Sequence, residues 1–288
     1  MNLNLRKIFS TARTEYVKWI TNPRMIILGV VLIFIYTFAI EPLVENAKLM
    51  DAPLNIFEPF IAIANSNLLI IILPAVFLTL ISDFPRTDGN TLFFLQRTGK
   101  LNWLYGQILF IIMAIFSFVG VIFAVTVVPM TFNGFCANQW SDVVTKFGIV
   151  FPEKAMSFGN CLITEKLFNQ VLPFNAAIQA YLLLMCYLLV LALIMLMFNC
   201  LKIKLMGLLS SGSIIAFGAA LSVVNVKSMW IFPMSHTIIY LHYTKYFREP
   251  IFAMWKSVVY FITVMAVLII ISSLAIKNTN FDSLQDID

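Results

Sequence analysis

The sequence predicts an all-α integral membrane protein with six transmembrane helices, an N-terminal interfacial amphipathic helix and short outer-surface helices between spans five and six. Three observations carry that prediction. Hydrophobic residues fill 61% of the 288 positions and charged residues only 11%, with a mean hydropathy of +0.92, a balance foreign to water-soluble globules. Six apolar runs, each close to the roughly 20 residues a helix needs to cross a hydrocarbon core, are separated by polar or Pro-rich stretches. The first 24 residues combine basic and apolar side chains at helical spacing. The chain therefore divides into an interfacial helix (1–24), a six-span domain (25–276) and an acidic tail (277–288).

In the first segment Leu5, Phe9, Ala12, Tyr16 and Trp19 recur at steps of three and four. Arg6, Lys7, Arg13 and Lys18 fall largely off that face. The pattern predicts a helix in the inner membrane surface, with its cations toward anionic headgroups and its aromatics in the interfacial zone. Asn22 and Pro23 end it. No signal peptide is expected, because the run that follows is too long for an h-region and lacks a small-residue cleavage site.

The spans are placed at 25–44, 60–81, 104–128, 174–199, 207–224 and 257–276, with Pro74 expected to kink the second. An even number puts both termini on one side. With that side cytoplasmic, the inner segments hold Arg6, Lys7, Arg13, Lys18 and Arg24, then Arg86, Arg97 and Lys100, then Lys202 and Lys204, then Lys277. The remaining basic residues are spread over longer outer segments, so the positive-inside rule predicts a multi-pass protein of the plasma membrane with both termini cytoplasmic. The net charge of +5 is then a topology signal, and nucleic acid is not an expected partner.

The inner loop 82–103 is the most informative stretch. Leu92, Phe93, Phe94 and Leu95 stand consecutively between charges, bracketed by Gly89 and Gly99, with Asp88 able to cap a short helix. Such an apolar knob in a charged loop is explained by a soluble partner that covers it. A tight connector that dips back into the bilayer is the plainer alternative. The order of amphipathic basic helix, six spans and this loop resembles ABC-2 type transporter permeases. The resemblance is carried by Arg86, Asp88, Gly89, Thr91, Leu92, Phe93, Phe94, Leu95 and Arg97. Asn90 between Gly89 and Thr91, and Thr98-Gly99 in place of a Ser/Thr-Pro pair, depart from the family pattern.

The resemblance implies a coupling helix seated in a cleft of ABC ATPase subunits. It also implies a second permease chain, identical or related, and ATP with Mg bound on the partner rather than here. The residues agree, since Thr98-Gly99-Lys100-Leu101 echoes a phosphate-binding loop but has Phe94 at the first Gly position and Leu101 where a hydroxyl is needed. The chain is expected to be no enzyme and to hold no cofactor or metal. An intramembrane enzyme, or a sensory or structural membrane subunit without transport, are the alternatives. The enzyme would need converging acids, His or Ser-Lys groups at membrane depth, and the spans supply amides and hydroxyls.

The outer loop 129–173 carries a balanced set of charges, Asp142, Lys146, Glu153, Lys154, Glu165 and Lys166, and the cysteines Cys136 and Cys161. An oxidising compartment would permit a disulfide between these two, or both could stay reduced. The outer interfacial segment 225–256 crowds Trp230, Phe232, Tyr240, Tyr243, Tyr246, Phe247 and Trp255 around His236 and His242, and predicts short helices at the outer surface. The two histidines, six apart, do not share a helical face, so a metal pair is not expected.

Within the spans, Asn65, Ser66 and Asn67, with Asn175 and Gln179, are candidates to line a substrate path. Ser210, Ser211 and Ser213 in span five are further candidates. Hydrogen bonds between helices would use the same residues. Gly207, Gly212 and Gly218 predict close helix approach. No span carries a central charge, which points away from an ion-coupled carrier. An aromatic-rimmed, amide-lined route suits an amphipathic or hydrophobic cargo such as a peptide, an antimicrobial or a lipid-like molecule.

Overall fold

The computed structural model describes residues 3–85, 97–246 and 250–278. Every regular element among them is helical, and the β-like pairings are two isolated bridges, Asn55 with Phe135 and Tyr243 with Pro250. Five helices are long and apolar enough to cross a membrane: Met25–Met50, Lys100–Thr131, Pro173–Cys200, Leu205–Val224 and Met254–Lys277. They match five of the six predicted spans.

The predicted second span differs. Instead of one helix over 60–81 kinked at Pro74, the chain forms two helices, Glu58–Asn65 and Leu69–Leu80, bent by 82°. Pro74 lies inside the second, and the break falls earlier, at an Asn-Ser-Asn run. There Asn65 turns its amide back onto Ile61 O at 2.9 Å, and Ser66 leaves the helix with ψ 124°. Short polar side chains that bond the local backbone compete with the helical ladder.

Helix α1 (Leu5–Ile20) opens on Asn4, whose Oδ1 accepts from the backbone N–H groups of Arg6 and Lys7. This is a side-chain N-cap that satisfies donors the helix cannot. Helix α2 (Met25–Met50) is interrupted by a π-turn at Tyr36–Ile40. Pro42 has no N–H and would clash with a carbonyl one turn back. The wider turn relieves that, with Glu41 N–H reaching Tyr36 O. Helices α3 (Glu58–Asn65) and α4 (Leu69–Leu80) form the bent pair. Helix α5 (Lys100–Val127) starts after Gly99 at φ +86°, a conformation that favours glycine.

Three short helices follow, α6 (Asp142–Val150), α7 (Phe158–Cys161) and α8 (Glu165–Phe168). Then come α9 (Pro173–Cys200), α10 (Lys204–Val224), α11 (Pro233–Thr237) and α12 (Met254–Asn278). Helix α9 is the hub: it packs on α3, α5, α10 and α12, and a long run of its residues, Leu183 to Leu196, is largely buried. Gly207 lets α10 approach it, for a β-carbon there would stand 3.1 Å from Met195 Cα, and Ser211 Oγ donates to Leu191 O at 3.2 Å. Gly218 faces Met234 and Phe232, whereas Gly212 has open space around it.

The N-terminal helix is not a solitary surface element. Its backbone at Asn4 donates to Asn102 Oδ1 at 3.0 Å, Thr11 meets Gly106, and Tyr16 Oη lies 2.6 Å from Ser117 Oγ. Helix α1 therefore runs beside α5 in the same direction, to a point roughly 25 Å from that helix's start at about 1.5 Å per residue. The predicted apolar stripe divides. Ala12 and Trp19 are buried with Ile8 and Thr11, while Leu5 and Phe9 remain 82% and 57% exposed. One apolar lane serves protein packing and a second faces outward.

Candidate functional site

At one end of the bundle the start of α5 meets both α1 and α12, with Lys100 Nζ donating to Lys277 O at 3.5 Å and Asn102 Oδ1 accepting from Asn4 N–H at 3.0 Å. The predicted coupling residues Arg86, Asp88, Gly89, Thr91, Leu92, Phe93, Phe94 and Leu95 lie outside the described residues. Arg97 is described, and its backbone carbonyl accepts from Lys7 Nζ at 3.0 Å. On the other flank of the loop, Asp83 Oδ2 pairs with Arg24 Nη1 at 2.6 Å, and the same guanidinium donates to Ser82 Oγ at 2.8 Å. Phe84 is buried against Phe110, with ring centroids 5.3 Å apart, and Trp19 packs on the same ring.

Segment 86–96 is thus tied at both flanks to the N-terminal region. One flank is held by Lys7, on the first turn of α1, and the other by Arg24, just past the end of that helix, with Phe84 and Trp19 packed on the same Phe110 ring. Sequence reasoning found the loop but not this clamp, because a long-range bond such as Lys7 to Arg97 leaves no local pattern.

The predicted path residues fall into two groups. Asn65 is buried, and its Oδ1 accepts the backbone N–H of Ile239 at 2.9 Å while its amide bonds Ile61 O. Asn67 Oδ1 accepts from Tyr240 Oη at 2.7 Å. Both amides therefore fasten the broken second span to the segment that follows α11. Ser66, between them, is half-buried and carries the break through its backbone. Asn175 is exposed and Gln179 half-buried on one face of α9, the latter with a buried Oε1 that has no partner among the described residues. Two further polar groups escaped the sequence reading. Gln107 is fully buried with neither its amide nitrogen nor its oxygen bonded among the described residues, and the Tyr187 hydroxyl is likewise buried and unpaired there. The available signal was a lone amide in an apolar run.

The opposite end of the bundle gathers residues 51–58, 133–141, 164–174 and 239–246 into one cap. Its centre is a buried carboxylate that the sequence reading overlooked. Glu58 Oε1 accepts from Ser141 N–H at 2.7 Å. Its Oε2 accepts from Ser141 Oγ at 2.8 Å and from Asn55 N–H at 3.0 Å. Asn55 Nδ2 donates to Ala137 O and Gln139 O. Farther out, Lys245 pairs with Glu165 at 2.7 Å, which raises the lysine's pKa, and Lys146 pairs with Asp142. Cys136 and Cys161 are both exposed free thiols.

His236 and His242, which spacing alone kept apart, converge around Trp230. The His236 ring stacks on Tyr260 at 4.0 Å, and its nitrogens meet Ser257 Oγ at 2.9 Å and Trp230 O at 2.7 Å. His242 lies 4.9 Å from Trp230 and meets two carbonyls, Phe252 O at 2.9 Å and His236 O at 3.3 Å. Burial lowers the pKa of both, that of His236 to about 4. The short turn between them, not a continuous helix, brings the rings together. Among the described residues no group of three or more His, Cys, Asp or Glu could hold a metal ion.

No family model, no curated protein and no solved structure matches the chain.

Proposed function

We propose that the chain is the membrane-spanning permease of an ATP-driven transporter of ABC-2 type. In this reading it sits in the plasma membrane with both termini cytoplasmic, works with a second permease chain, and is energised by separate ABC ATPase subunits that bind ATP and Mg. The coupling element is the loop bearing Arg86, Asp88, Gly89, Thr91, Leu92, Phe93, Phe94, Leu95 and Arg97. The single observation that favours it is the clamp on that loop, with Arg24 to Asp83 on one flank and Lys7 to Arg97 on the other. A push on the loop would pass to α1 and, through Asn4 and Tyr16, to α5, which is how a docked motor could rock packed helices between two arrangements. The cargo is amphipathic or hydrophobic, since four of the five apolar helices carry Asp, Glu, Lys or Arg only near their ends, and on α2 Glu41 and Glu45 are exposed.

The test is co-expression with an ABC ATPase encoded beside it, followed by purification in mild detergent. The wild type should co-purify with the ATPase and support ATP turnover, and the double variant Phe93→Asp, Phe94→Asp should do neither while staying folded. Equal binding and turnover by that variant would sink the reading.

A further inference from the structure

Beside α2 lies a cavity of about 530 Å³ that the coupling reading does not use. One wall is α2 itself, from Tyr36 on the π-turn to Lys48. The other is the end of the α5 helix and the loop after it, represented by Met130 and Asn133. The far wall is set by backbone bonds. Phe135 N–H donates to Leu54 O at 3.0 Å, Ile56 N–H to Phe135 O at 3.1 Å and Gly134 N–H to Met130 O at 2.7 Å. A β-carbon on Gly134 would stand 2.6 Å from Met130 O and 2.7 Å from Leu54 O, so the wall has no room to relax inward. The space is therefore held open by the main chain rather than left by the chance placing of flexible side chains.

Three properties select an occupant. The volume lies within the range of about 300–1,000 Å³ usual for small-molecule sites. From Tyr36 to Lys48 the groove follows α2 for roughly 18 Å at about 1.5 Å per residue, close to one leaflet of a hydrocarbon core about 30 Å thick. Its lining also changes along that length. Val44 and Met130 are apolar and Tyr36 presents an aromatic ring, whereas Lys48 and Asp51 put both signs of charge at the cap end, where both are exposed and neither forms an ion pair with a described residue. Asp51 is turned there by its left-handed backbone, φ +48°.

We propose that this groove binds one zwitterionic amphiphile, its tail along Tyr36, Val44 and Met130 and its dipolar head between Lys48 and Asp51. The site depends on the membrane placement of α2 and not on the transporter reading. A bilayer phospholipid and a transported amphiphile share this chemistry.

The test uses the full chain, delipidated in detergent and titrated with lysophosphatidylcholine, with native mass spectrometry as the readout. One saturable equivalent is expected, with lysophosphatidylglycerol at least tenfold weaker. Ala47→Trp should fill the groove and abolish the bound equivalent, while Ile178→Trp, at an exposed apolar position on α9, should leave it. Lys48→Glu does not depend on packing and should invert the preference toward a cationic head. Binding that does not saturate, equal uptake of the two lysolipids, or an unchanged equivalent on an Ala47→Trp variant that melts like wild type would mean annular lipid only and overturn the site. A phospholipid that co-purifies in one copy and is lost from Ala47→Trp identifies the bilayer as the source. A site that takes added lysophosphatidylcholine even in phosphatidylcholine vesicles identifies a cargo.

Discussion

Gly106 and Thr11 touch so closely that a β-carbon on the glycine would stand 2.7 Å from Thr11 Cβ and 2.9 Å from its methyl. That contact is what seats α1 on α5. Gly106→Ala should destabilise the protein by about 1–3 kcal/mol, the usual cost of overpacking, and expose α1 to trypsin at Arg13 and Lys18. Pairing it with Thr11→Gly should recover much of the loss despite the helix cost of a glycine. The check is a double-mutant cycle of melting temperatures with digestion rates alongside.

Glu58 is the knot of the opposite cap. Glu58→Ala would strip the acceptor from three buried donors on Ser141 and Asn55, and each orphaned donor costs about 1–3 kcal/mol. A large fall in melting temperature is expected, together with new protease cleavage within 133–170. Ser141→Ala should be milder, roughly 1 kcal/mol, because it loses one bond to Glu58 and the cap on Val144 N–H, 3.2 Å. Equal melting of wild type and Glu58→Ala would show that the cap does not need this carboxylate.

Five of the six spans were legible because a long apolar run has few alternatives to a membrane helix. The second was misplaced in kind, since Pro74 drew attention while the break came from Asn65, whose amide finds Ile61 O and Ile239 N–H. A side chain's choice of a partner 174 positions away is not encoded in any window of sequence. The same limit applies to α1: periodicity revealed an apolar stripe, but two lanes were present, and only packing shows that Ile8 and Thr11 face protein while Leu5 and Phe9 do not.

The candidate sites were legible by chemistry and not by geometry. Polar residues in apolar runs were singled out at Asn65 and Asn67, and both are engaged in bonds that join segments. Gln107, fully buried and unpaired among the described residues, was passed over beside its more polar neighbours. Glu58 drew no reading from the sequence, because nothing local reveals that Ser141 would close on it.

The Arg24 to Asp83 pair should matter for coupling more than for stability. Its side chains are 39% and 47% exposed, and such pairs contribute below about 1 kcal/mol. Asp83→Arg should barely move the melting temperature. In the proposed complex with an ABC ATPase it should lower ATP turnover several-fold, and the charge swap Arg24→Asp, Asp83→Arg should restore it. Loss of turnover that the swap does not rescue would assign the effect to Asp83 alone.

The histidine nest makes the cap acid-labile. Burial lowers the His236 pKa from 6.5 to about 4, with the neighbouring His242 acting in the same direction and the bond to Trp230 O opposing. Between those values the unfolded chain binds a proton that the folded chain refuses, so stability rises with pH there. The contribution is complete above about pH 6.5, declines as pH falls below it, and is fully lost once pH passes the folded value near 4. At about 1.4 kcal/mol per pKa unit, His236 alone accounts for roughly 3 kcal/mol. The melting temperature should be flat from pH 8 to 7 and drop steeply from 6 to 4.5. His236→Gln, which keeps a donor for Trp230 O but cannot titrate, should flatten that drop even if it starts from a lower plateau. An acid slope as steep in His236→Gln as in wild type would place the lability elsewhere.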